Sequence, residues 1–492
     1  MEKNGNSTIF NALLHNWGIE VLLCVWFIFV LFPQGPGITF DSVSFIEIGK
    51  NLFSTGNYAH TGPNGLEFAS ERFPLYTLLI APLNGNTIGL FICQSVLFIG
   101  SLLVFRRFLK TAHAPKYFLL FFGFYVFIAN YYSVWTESLY GLLMLLIINQ
   151  IQKESGKKAI KYIAVLLVLL CLTRLVGIVI GGALTLAYFI KKKPKSALIT
   201  LLAVLLTVGF WVLYGKLVHD SQARFIHYNP ISTLNWLAMP RSIGSFLLPP
   251  SANDSIRIIL GCLLCVLPAL FIFLQWSKRE SIRLIEWFLV IHFYAYIVFI
   301  WVSIALIDAC IPVEFRTLFP LYLNLLALLV VYQTTPLFTA VFKSKIKYIL
   351  PKILILLLIY NGYETLSLRN NGTGYNSAQW DDFKFKEEIK LTDASVVFTN
   401  DQAAVNYCAN YGQHLKLLNE KYNLHSLIKN ESYQETYDET IASIASNPKT
   451  KIIWVRNGIT QDIYPSYEEL KADPRLKVIY DDWLCLILES AD

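Results

Sequence analysis

Six charged residues lie in one short stretch between two apolar segments near the N-terminus. They are Asp41, Glu47, Lys50, Glu67, Glu71 and Arg72, within residues 40–76 of a chain that averages 15% charged residues. A positioned carboxylate can accept the proton of a hydroxyl group, and an arginine can bind a phosphate through several N–H groups. A tight connector needs only a few residues. The length and charge of this polar segment therefore indicate a site of chemistry.

Two residues of the polar segment stand at the ends of predicted helices. Asp41 precedes residues 42–53, whose apolar positions recur at helical spacing and predict an amphipathic helix in the membrane interface. Aspartate is also a common helix cap, so Asp41 can have a structural role. Arg72 precedes Pro74, which suits the first turn of a helix. Arg72 can bind a lipid phosphate there, or extend its charged end into the interface.

The composition indicates a polytopic helical membrane protein. The chain has 492 residues, of which 55% are hydrophobic, and a mean hydropathy of +0.49. A soluble fold would lack the polar surface to cover such a core. Apolar windows of roughly 20 residues, enough to cross ~30 Å of hydrocarbon as a helix, predict about eleven spans. These lie near residues 18–33, 73–105, 117–133, 138–151, 159–172, 175–190, 197–215, 255–275, 284–306, 317–333 and 348–363. The span at 73–105 is long enough to consist of two parts, and several others are short enough to be half-helices or tilted helices. The first lacks a small-residue cleavage site, so we expect it to remain as a helix.

Lysines and arginines cluster in alternate loops between these spans. The clusters lie at residues 106–116, 153–161, 191–195, 278–283 and 343–352. Because positive charge in short loops favours the cytoplasm, the pattern predicts a cytoplasmic N-terminus in the inner (cytoplasmic) membrane. The polar segment and the C-terminus are then extracytoplasmic. Most of the net charge of +7 belongs to these clusters, so it gives no support for nucleic-acid binding.

The chain becomes polar near its C-terminus. Strand-like runs at residues 394–400, 451–457 and 477–488 alternate with helix-like stretches at 379–391 and 466–474. This alternation predicts an extracytoplasmic α/β domain at residues 364–492, after a transmembrane domain at residues 1–363.

Further ionisable residues fall in predicted outer loops or at the outward ends of spans. Glu137 and Arg174 belong to short apolar segments, where an ionisable side chain faces a cavity or a partner; a structural Glu137–Arg174 ion pair is the competing explanation. Glu314 and Arg316 lie in the last outer loop, and His227 in the loop at 216–253. The sequence contains no H-E-x-x-H, Walker or G-x-S-x-G motif.

The order of these motifs resembles that of a known enzyme class. Asp41, Phe45, Gly49, Gly56 and Tyr58 with ERFPLY (71–76) resemble the first outer loop of GT-C glycosyltransferases, in the branch of the protein O-mannosyltransferases and the lipid A aminoarabinose transferase. Phe73 departs from the first proline of that motif. WTESLY (135–140), TRLVG (173–177) and EFRTLFPLY (314–322) resemble later motifs, and GYNSAQW (374–380) and VVFTN (396–400) resemble the C-terminal domain of bacterial members.

The resemblance implies an all-α polytopic GT-C fold with a C-terminal α/β domain, and an inverting glycosyltransferase. It would move a hexosyl or pentosyl group from a polyprenyl-phosphate donor to a glycan, lipid or protein acceptor. The resemblance makes Asp41 the general base. Arg72, assisted by Arg316 and Arg174, would bind the donor phosphate, with Glu71, Glu137, Glu314 and His227 in support. No cofactor follows with certainty; a divalent metal, if used, would bind Glu71 and His227.

A transporter or flippase of lipid-linked glycans is the alternative from another class. It would account for the spans and for charges at membrane depth. It accounts poorly for the long first loop and the outer domain, and the sequence has no visible inverted repeat.

Overall fold

The structure is a computed structural model that describes residues 5–62, 65–153, 156–219, 233–277, 281–308, 311–333, 346–377, 380, 396–409, 415–423, 429–447, 449–456 and 463–491. Helices dominate its first three quarters. In chain order they are α1 (Gly5–Leu31), α2 (Phe40–Thr55), α3 (Pro74–Ile80), α4 (Thr87–Thr111), α5 (Tyr125–Tyr132), α6 (Thr136–Gln152), α7 (Gly156–Cys171), α8 (Gly177–Ile190), α9 (Pro194–His219), α10 (Thr233–Gly244), α11 (Asp254–Ser277), α12 (Leu284–Leu306), α13 (Phe319–Gln333) and α14 (Ile346–Asn371).

Five helices in the described part of the chain are long and apolar enough to cross a membrane. The qualifying segments are Thr87–Thr111, Pro194–Leu217, Asp254–Ser277, Leu284–Leu306 and Ile349–Asn371. Shorter apolar helices accompany them, including Trp17–Leu31, Gly177–Ile190 and Phe319–Gln333. The chain is therefore a multi-pass membrane protein; the number of spans stays a prediction.

Two of the predicted spans do not form single helices. The segment at 73–105 divides after the 3₁₀ turn Ala81–Leu83, where Asn84 and Gly85 both adopt positive φ. The segment at 117–133 consists of a 3₁₀ helix, Lys116–Gly123, and α5, separated by extended backbone at Phe124. Both parts of the second segment are buried, with Phe122 and Phe127 in ring contact at 3.9 Å. That segment packs against other helices of the bundle, and its role as a span stays a prediction.

The predicted amphipathic helix after Asp41 is present as α2. Its buried face carries Val43, Phe45 and Ile48, which is the apolar face expected from the sequence. Its N-cap is Thr39, whose N–H donates to Ser42 Oγ at 3.0 Å. Gly56 is the C-cap of the helix, and its N–H donates to the Leu52 carbonyl. Gly56 adopts φ 76°, a conformation that favours glycine. A hairpin of β1 (Ala59–Gly62) and β2 (Gly65–Phe68) follows.

The described residues of the C-terminal region form a five-stranded sheet with helices. Its elements are β3 (Val396–Thr399), α15 (Gln402–Ala409), β4 (Leu415–Leu417), α16 (Tyr433–Ala445), β5 (Thr450–Val455), α17 (Tyr467–Ala472), β6 (Leu476–Asp481) and β7 (Cys485–Ser490). The strand order is β4-β3-β5-β7-β6, with β3 parallel to β4 and β5, and β7 antiparallel to β5 and β6.

The sequence predictions for this region have mixed outcomes. The run at 477–488 forms a hairpin, because Asp482 Oδ1 accepts the N–H groups of Leu484 and Cys485 and turns the chain. The helix predicted at 466–474 is α17, whereas almost all of 379–391 lies outside the described residues. The boundary expected at 363/364 falls within α14, which continues to Asn371. The division into two domains stays a prediction.

The turn that follows α14 is hydrogen-bonded to the segment that precedes α2. Ile38 pairs with Gly374, and Tyr375 donates its N–H to Ile38 at 2.6 Å. Gly374 has φ 65°, and a side chain there would collide with the Ile38 carbonyl. The Tyr375 hydroxyl in turn contacts both carboxylate oxygens of the buried Asp401, at 3.0 and 2.9 Å. The C-terminal region is thereby joined to the segment that leads into α2.

Candidate active site

Five ionisable residues from separate elements meet beside the N-terminus of α2. This carboxylate–arginine cluster consists of Asp41, Arg72, Glu137, Arg174 and Arg316. Asp41 lies in the first turn of α2, Glu137 in the first turn of α6, and Arg174 in the turn between α7 and α8. Arg72 precedes α3 and Arg316 precedes α13. The structure thus brings together residues that are widely separated in the sequence.

Each carboxylate oxygen of Asp41 forms an ion pair with a different arginine. Arg72 Nη2 lies 2.9 Å from Oδ1, and Arg316 Nη1 lies 2.7 Å from Oδ2. Burial acts to raise the pKa of Asp41, but the attraction of Arg72 and Arg316 outweighs it and lowers the pKa to about 2. Because Thr39 is the N-cap, Asp41 is not needed for capping, and its carboxylate is committed to the two guanidinium groups.

Arg316 connects the two halves of the cluster. Its Nε lies 3.8 Å from Glu137 and 3.5 Å from Glu314. Glu137 in turn forms a close ion pair with Arg174, so the pair considered in the sequence analysis is present. Burial raises the pKa of the Glu314 carboxyl, and repulsion from Glu137 and Asp41 adds to this, while Arg316 opposes it. Three arginines therefore face two carboxylates, with Glu314 at the edge.

Backbone contacts hold the loops that carry these arginines. The Tyr58 hydroxyl donates to the Arg72 carbonyl at 3.0 Å, which ties the turn before α3 to the hairpin. Leu75 N–H donates to the Leu172 carbonyl at 2.8 Å, so the start of α3 is bonded to the turn that carries Arg174. The Tyr296 hydroxyl donates to the Thr317 carbonyl at 2.5 Å, next to Arg316. These bonds fix the backbone of the cluster from several helices.

Aromatic rings support two of the arginines, and one of these rings was not identified as a site residue from the sequence. Phe45 lies under Arg72 at 5.1 Å, and Trp135 lies under Arg316 at 4.9 Å. Trp135 Nε1–H also donates to Thr39 Oγ1 at 2.7 Å. The signal in the sequence was the WTESLY motif (135–140), which contains Trp135, but the partners of Trp135 lie far away in the sequence.

The metal site expected from Glu71 and His227 is not tested, because one of the two ligands lies outside the described residues. Glu71 lies on the hairpin side, 3.9 Å from His60 Nδ1, and His60 Nε2 lies 3.7 Å from Glu67. His227 lies outside the described residues. Across the described part of the chain, no group of three or more His, Cys, Asp or Glu residues is arranged to hold a metal ion. Metal binding by Glu71 and His227 stays a prediction.

Comparison with solved structures identifies the fold. ArnT from Cupriavidus metallidurans bound to undecaprenyl phosphate matches with a TM-score of 0.57 at 12% identity, over 97% of this chain and 98% of ArnT. The apo ArnT structure gives a TM-score of 0.57 at 13% identity, over 98% of both chains. AglB, the Archaeoglobus fulgidus oligosaccharyltransferase in complex with an inhibitory peptide and a dolichol phosphate, gives 0.51 at 8% identity, over 90% of this chain and 70% of AglB.

These neighbours are GT-C glycosyltransferases. The chain has the GT-C fold. No protein-family model matches the sequence, and no curated protein matches it either. At these identities the likeness establishes the GT-C fold alone, so the activity has to be argued from the carboxylate–arginine cluster.

Proposed function

We propose that this protein is a glycosyltransferase that moves a sugar from a polyprenyl-phosphate donor to an acceptor hydroxyl or amine. The single observation that carries the proposal is the convergence of Arg72, Arg316 and Arg174 around Asp41 and Glu137 on a GT-C fold. Arginines that converge on one point are suited to bind a phosphate, because each offers several N–H donors. The ArnT structure that shares the fold contains undecaprenyl phosphate.

The proposed reaction is a direct displacement at the anomeric carbon. The acceptor oxygen or nitrogen forms a bond to that carbon, and the bond from carbon to the phosphate oxygen breaks. The electron pair stays on the phosphate, and the acceptor proton passes to Asp41. Arg72, Arg316 and Arg174 stabilise the charge that develops on the leaving phosphate. A single displacement inverts the anomeric configuration.

Other parts of the molecule receive roles under this proposal. Glu137 holds Arg174 and Arg316 in position, and Glu314 adjusts the charge beside Arg316. The reaction takes place on the extracytoplasmic face of the inner membrane, where the charge pattern of the loops places residues 40–76 and the C-terminal domain. About eleven spans are consistent with this orientation. The apolar helices beside the cluster would surround the prenyl chain.

The test is transfer by the purified full-length protein. Undecaprenyl-phosphate sugars, each carrying a different hexose or pentose, are incubated with candidate acceptors, and products are identified by mass spectrometry. We expect transfer by the wild type and a loss of about 10²- to 10⁴-fold in Asp41→Asn, the range for removal of a general base. Asp254→Asn is the matched control, since Asp254 forms an exposed ion pair with Arg241 outside the cluster.

Two results would contradict the proposal in different ways. Equal transfer by the wild type and Asp41→Asn would exclude Asp41 as the base. Movement of lipid-linked glycans across vesicle membranes without any transfer or donor hydrolysis would instead favour a transporter or flippase.

A further inference from the structure

The pairing of Asp41 raises a question that the proposed reaction leaves open. A carboxylate with a pKa of about 2 is a weak base at neutral pH, and a general base works best when its pKa lies near the working pH. The same two arginines that weaken Asp41 as a base are the residues proposed to bind the donor phosphate. One explanation can account for both facts.

Arg72 and Arg316 contact the Asp41 carboxylate in the same way that two arginines can contact a phosphate. Its two oxygens each receive a separate guanidinium group, at 2.9 Å from Arg72 and 2.7 Å from Arg316. A phosphate group likewise offers several oxygens to such donors. The guanidinium N–H groups that donate to Asp41 cannot also donate fully to a phosphate at the same time.

We propose that Asp41 and the donor phosphate compete for Arg72 and Arg316, so that donor binding releases Asp41 to act as the base. This inference rests on the proposed function and adds the order of events. Donor binding comes first and draws the guanidinium groups away from the carboxylate. The acceptor is then deprotonated only when a donor is in place, which limits the activation of water or acceptor at an unoccupied site.

The charges around Asp41 support this sequence. When Arg72 and Arg316 turn to a phosphate, the neighbouring Glu137 and Glu314 remain on the Arg316 side of Asp41. Their negative charge and that of the phosphate favour the protonated form of Asp41. Arg174 stays paired with Glu137 and offsets only that carboxylate. The affinity of Asp41 for a proton therefore rises at the stage when the acceptor has to lose one.

The same competition helps to release the product. Transfer converts the phosphodiester donor into a phosphate monoester and leaves the acceptor proton on Asp41. Once Asp41 passes this proton to water, its carboxylate again competes for Arg72 and Arg316. The displaced polyprenyl phosphate then leaves, and the protein returns to the arrangement seen in the structure.

Partial exposure makes such an exchange possible. The side chains of Asp41, Arg72 and Arg316 are 26%, 23% and 18% exposed, respectively. Buried Nε atoms of Arg72 and Arg316 also lack a hydrogen-bond acceptor among the described residues, so the guanidinium groups are not saturated by the protein.

The experiment measures binding of undecaprenyl phosphate to the full-length protein in lipid nanodiscs. Under competition, Asp41→Asn removes the competing charge and should tighten binding about tenfold or more, because a larger fraction of the protein has its arginines available. Glu67→Gln is the matched control. It removes one negative charge from the neighbouring hairpin, where Glu67 lies 3.7 Å from His60, and we expect its affinity to stay within about twofold.

Further variants separate competition from a general effect of charge. Asp41→Glu keeps the competing charge and should not tighten binding. In an Arg72→Gln background, Asp41→Asn should give a smaller gain, since one of the contested arginines is gone. Asp41→Ser provides a second neutral variant, and thermal melting checks that each protein is folded.

The outcomes distinguish this inference from the proposed function. If Asp41→Asn and Asp41→Ser bind undecaprenyl phosphate as weakly as the wild type, or more weakly, competition is wrong while wild-type transfer still supports the enzyme. If wild type and variants all fail to bind undecaprenyl phosphate, the donor class of the proposed function is wrong. Equal tightening in Glu67→Gln would also overturn competition, because the gain would then come from net charge alone.

Discussion

Two sites in this molecule pair carboxylates with arginines, but one is partly exposed and the other is buried. In the cluster around Asp41, the carboxylate and its two arginines are partly exposed, at 26%, 23% and 18%. The pair of Glu20 and Arg106 joins α1 to α4 near the end of α4 farther from α2, with Nε and Oε1 2.9 Å apart. Its side chains are only 4% and 7% exposed, and Trp17 covers the guanidinium group at 3.2 Å.

The difference separates an ion pair that holds helices together from a cluster that can exchange its partners. A sealed pair cannot release either charge without leaving the other unpaired in an apolar surrounding, which costs several kcal/mol. A cluster whose arginines have access to solvent can accept another anion at a smaller cost. We therefore expect substitutions in the cluster to reduce activity, and substitutions in the Glu20–Arg106 pair to reduce stability.

The largest effect expected of an arginine substitution is the loss of turnover in Arg316→Gln. Arg316 contacts Asp41 and lies beside Glu137 and Glu314, so its loss removes a cation proposed to stabilise the leaving phosphate. We expect kcat to fall by about 10²- to 10³-fold, as for loss of one donor to a developing anion. Turnover with an undecaprenyl-phosphate sugar measures this. Arg241→Gln, at an exposed pair outside the cluster, is the control; similar losses in both variants would show that the cluster has no special role.

The next effect is on stability in Glu20→Gln. Removing this carboxylate leaves the Arg106 charge buried, at a cost of about 3–5 kcal/mol. We expect earlier thermal unfolding in detergent, whereas turnover per folded molecule stays near the wild-type value. Replacing both partners, as in Glu20→Gln with Arg106→Met, should restore part of the loss because no charge is then unpaired. If Glu20→Gln instead lowered kcat at normal stability, the division between the two sites would fail.

The third effect is on the stability of the folded protein at acidic pH. The pKa of Asp41 is lowered from 3.8 to about 2 by Arg72 and Arg316. A lowered pKa contributes stability that is present above about pH 4 and is lost as the pH falls through about 2, in total about 2 kcal/mol. Melting curves of the wild type and Asp41→Asn should therefore differ most at pH 5 and above, and converge toward pH 2. A difference that stays constant over this range would mean that Asp41 is not held ionised by the cluster.

The sequence predicts the local elements of the site better than their assembly. Helix α2 follows from the spacing of Val43, Phe45 and Ile48, and the entrance to α3 follows from Pro74, because both depend on neighbouring residues. The pairing of Asp41 with Arg316 depends on a contact between residues 275 positions apart. No local pattern specifies which carboxylate an arginine will face. The resemblance implied a phosphate-binding role for Arg72 and Arg316 and a base role for Asp41, but it did not indicate that these groups pair with each other.

The same limit applies to the fold. Hydrophobic length predicted one span at 117–133, whereas the structure divides the segment at the extended backbone of Phe124 and buries both parts; whether it spans the membrane stays a prediction. Apolar residues buried by protein and apolar residues exposed to lipid look alike in a sequence. The resemblance of ordered motifs was more informative, because it combined many weak local signals that packing later brought together in a GT-C fold.

The smallest effect is expected in Trp135→Phe. Trp135 contacts Arg316 and also Thr39, which lies two residues before Asp41. Its Nε1–H donates to Thr39 Oγ1 at 2.7 Å, and its ring lies 4.9 Å from the Arg316 guanidinium carbon. Phenylalanine keeps a ring under Arg316 and loses one hydrogen bond, worth about 0.5–1.5 kcal/mol, so kcat should fall about 2- to 10-fold. Thr39→Val removes the acceptor of the same bond together with the contact of Thr39 Oγ1 to Ser42 Oγ at 3.1 Å, so the double variant should be little worse than Thr39→Val alone. Trp454→Phe is the matched control, because it breaks a bond from Trp454 to the Pro465 carbonyl in the C-terminal sheet, and should lower stability without changing kcat. Additive losses from Trp135→Phe and Thr39→Val would show that the bond between them does not position Asp41.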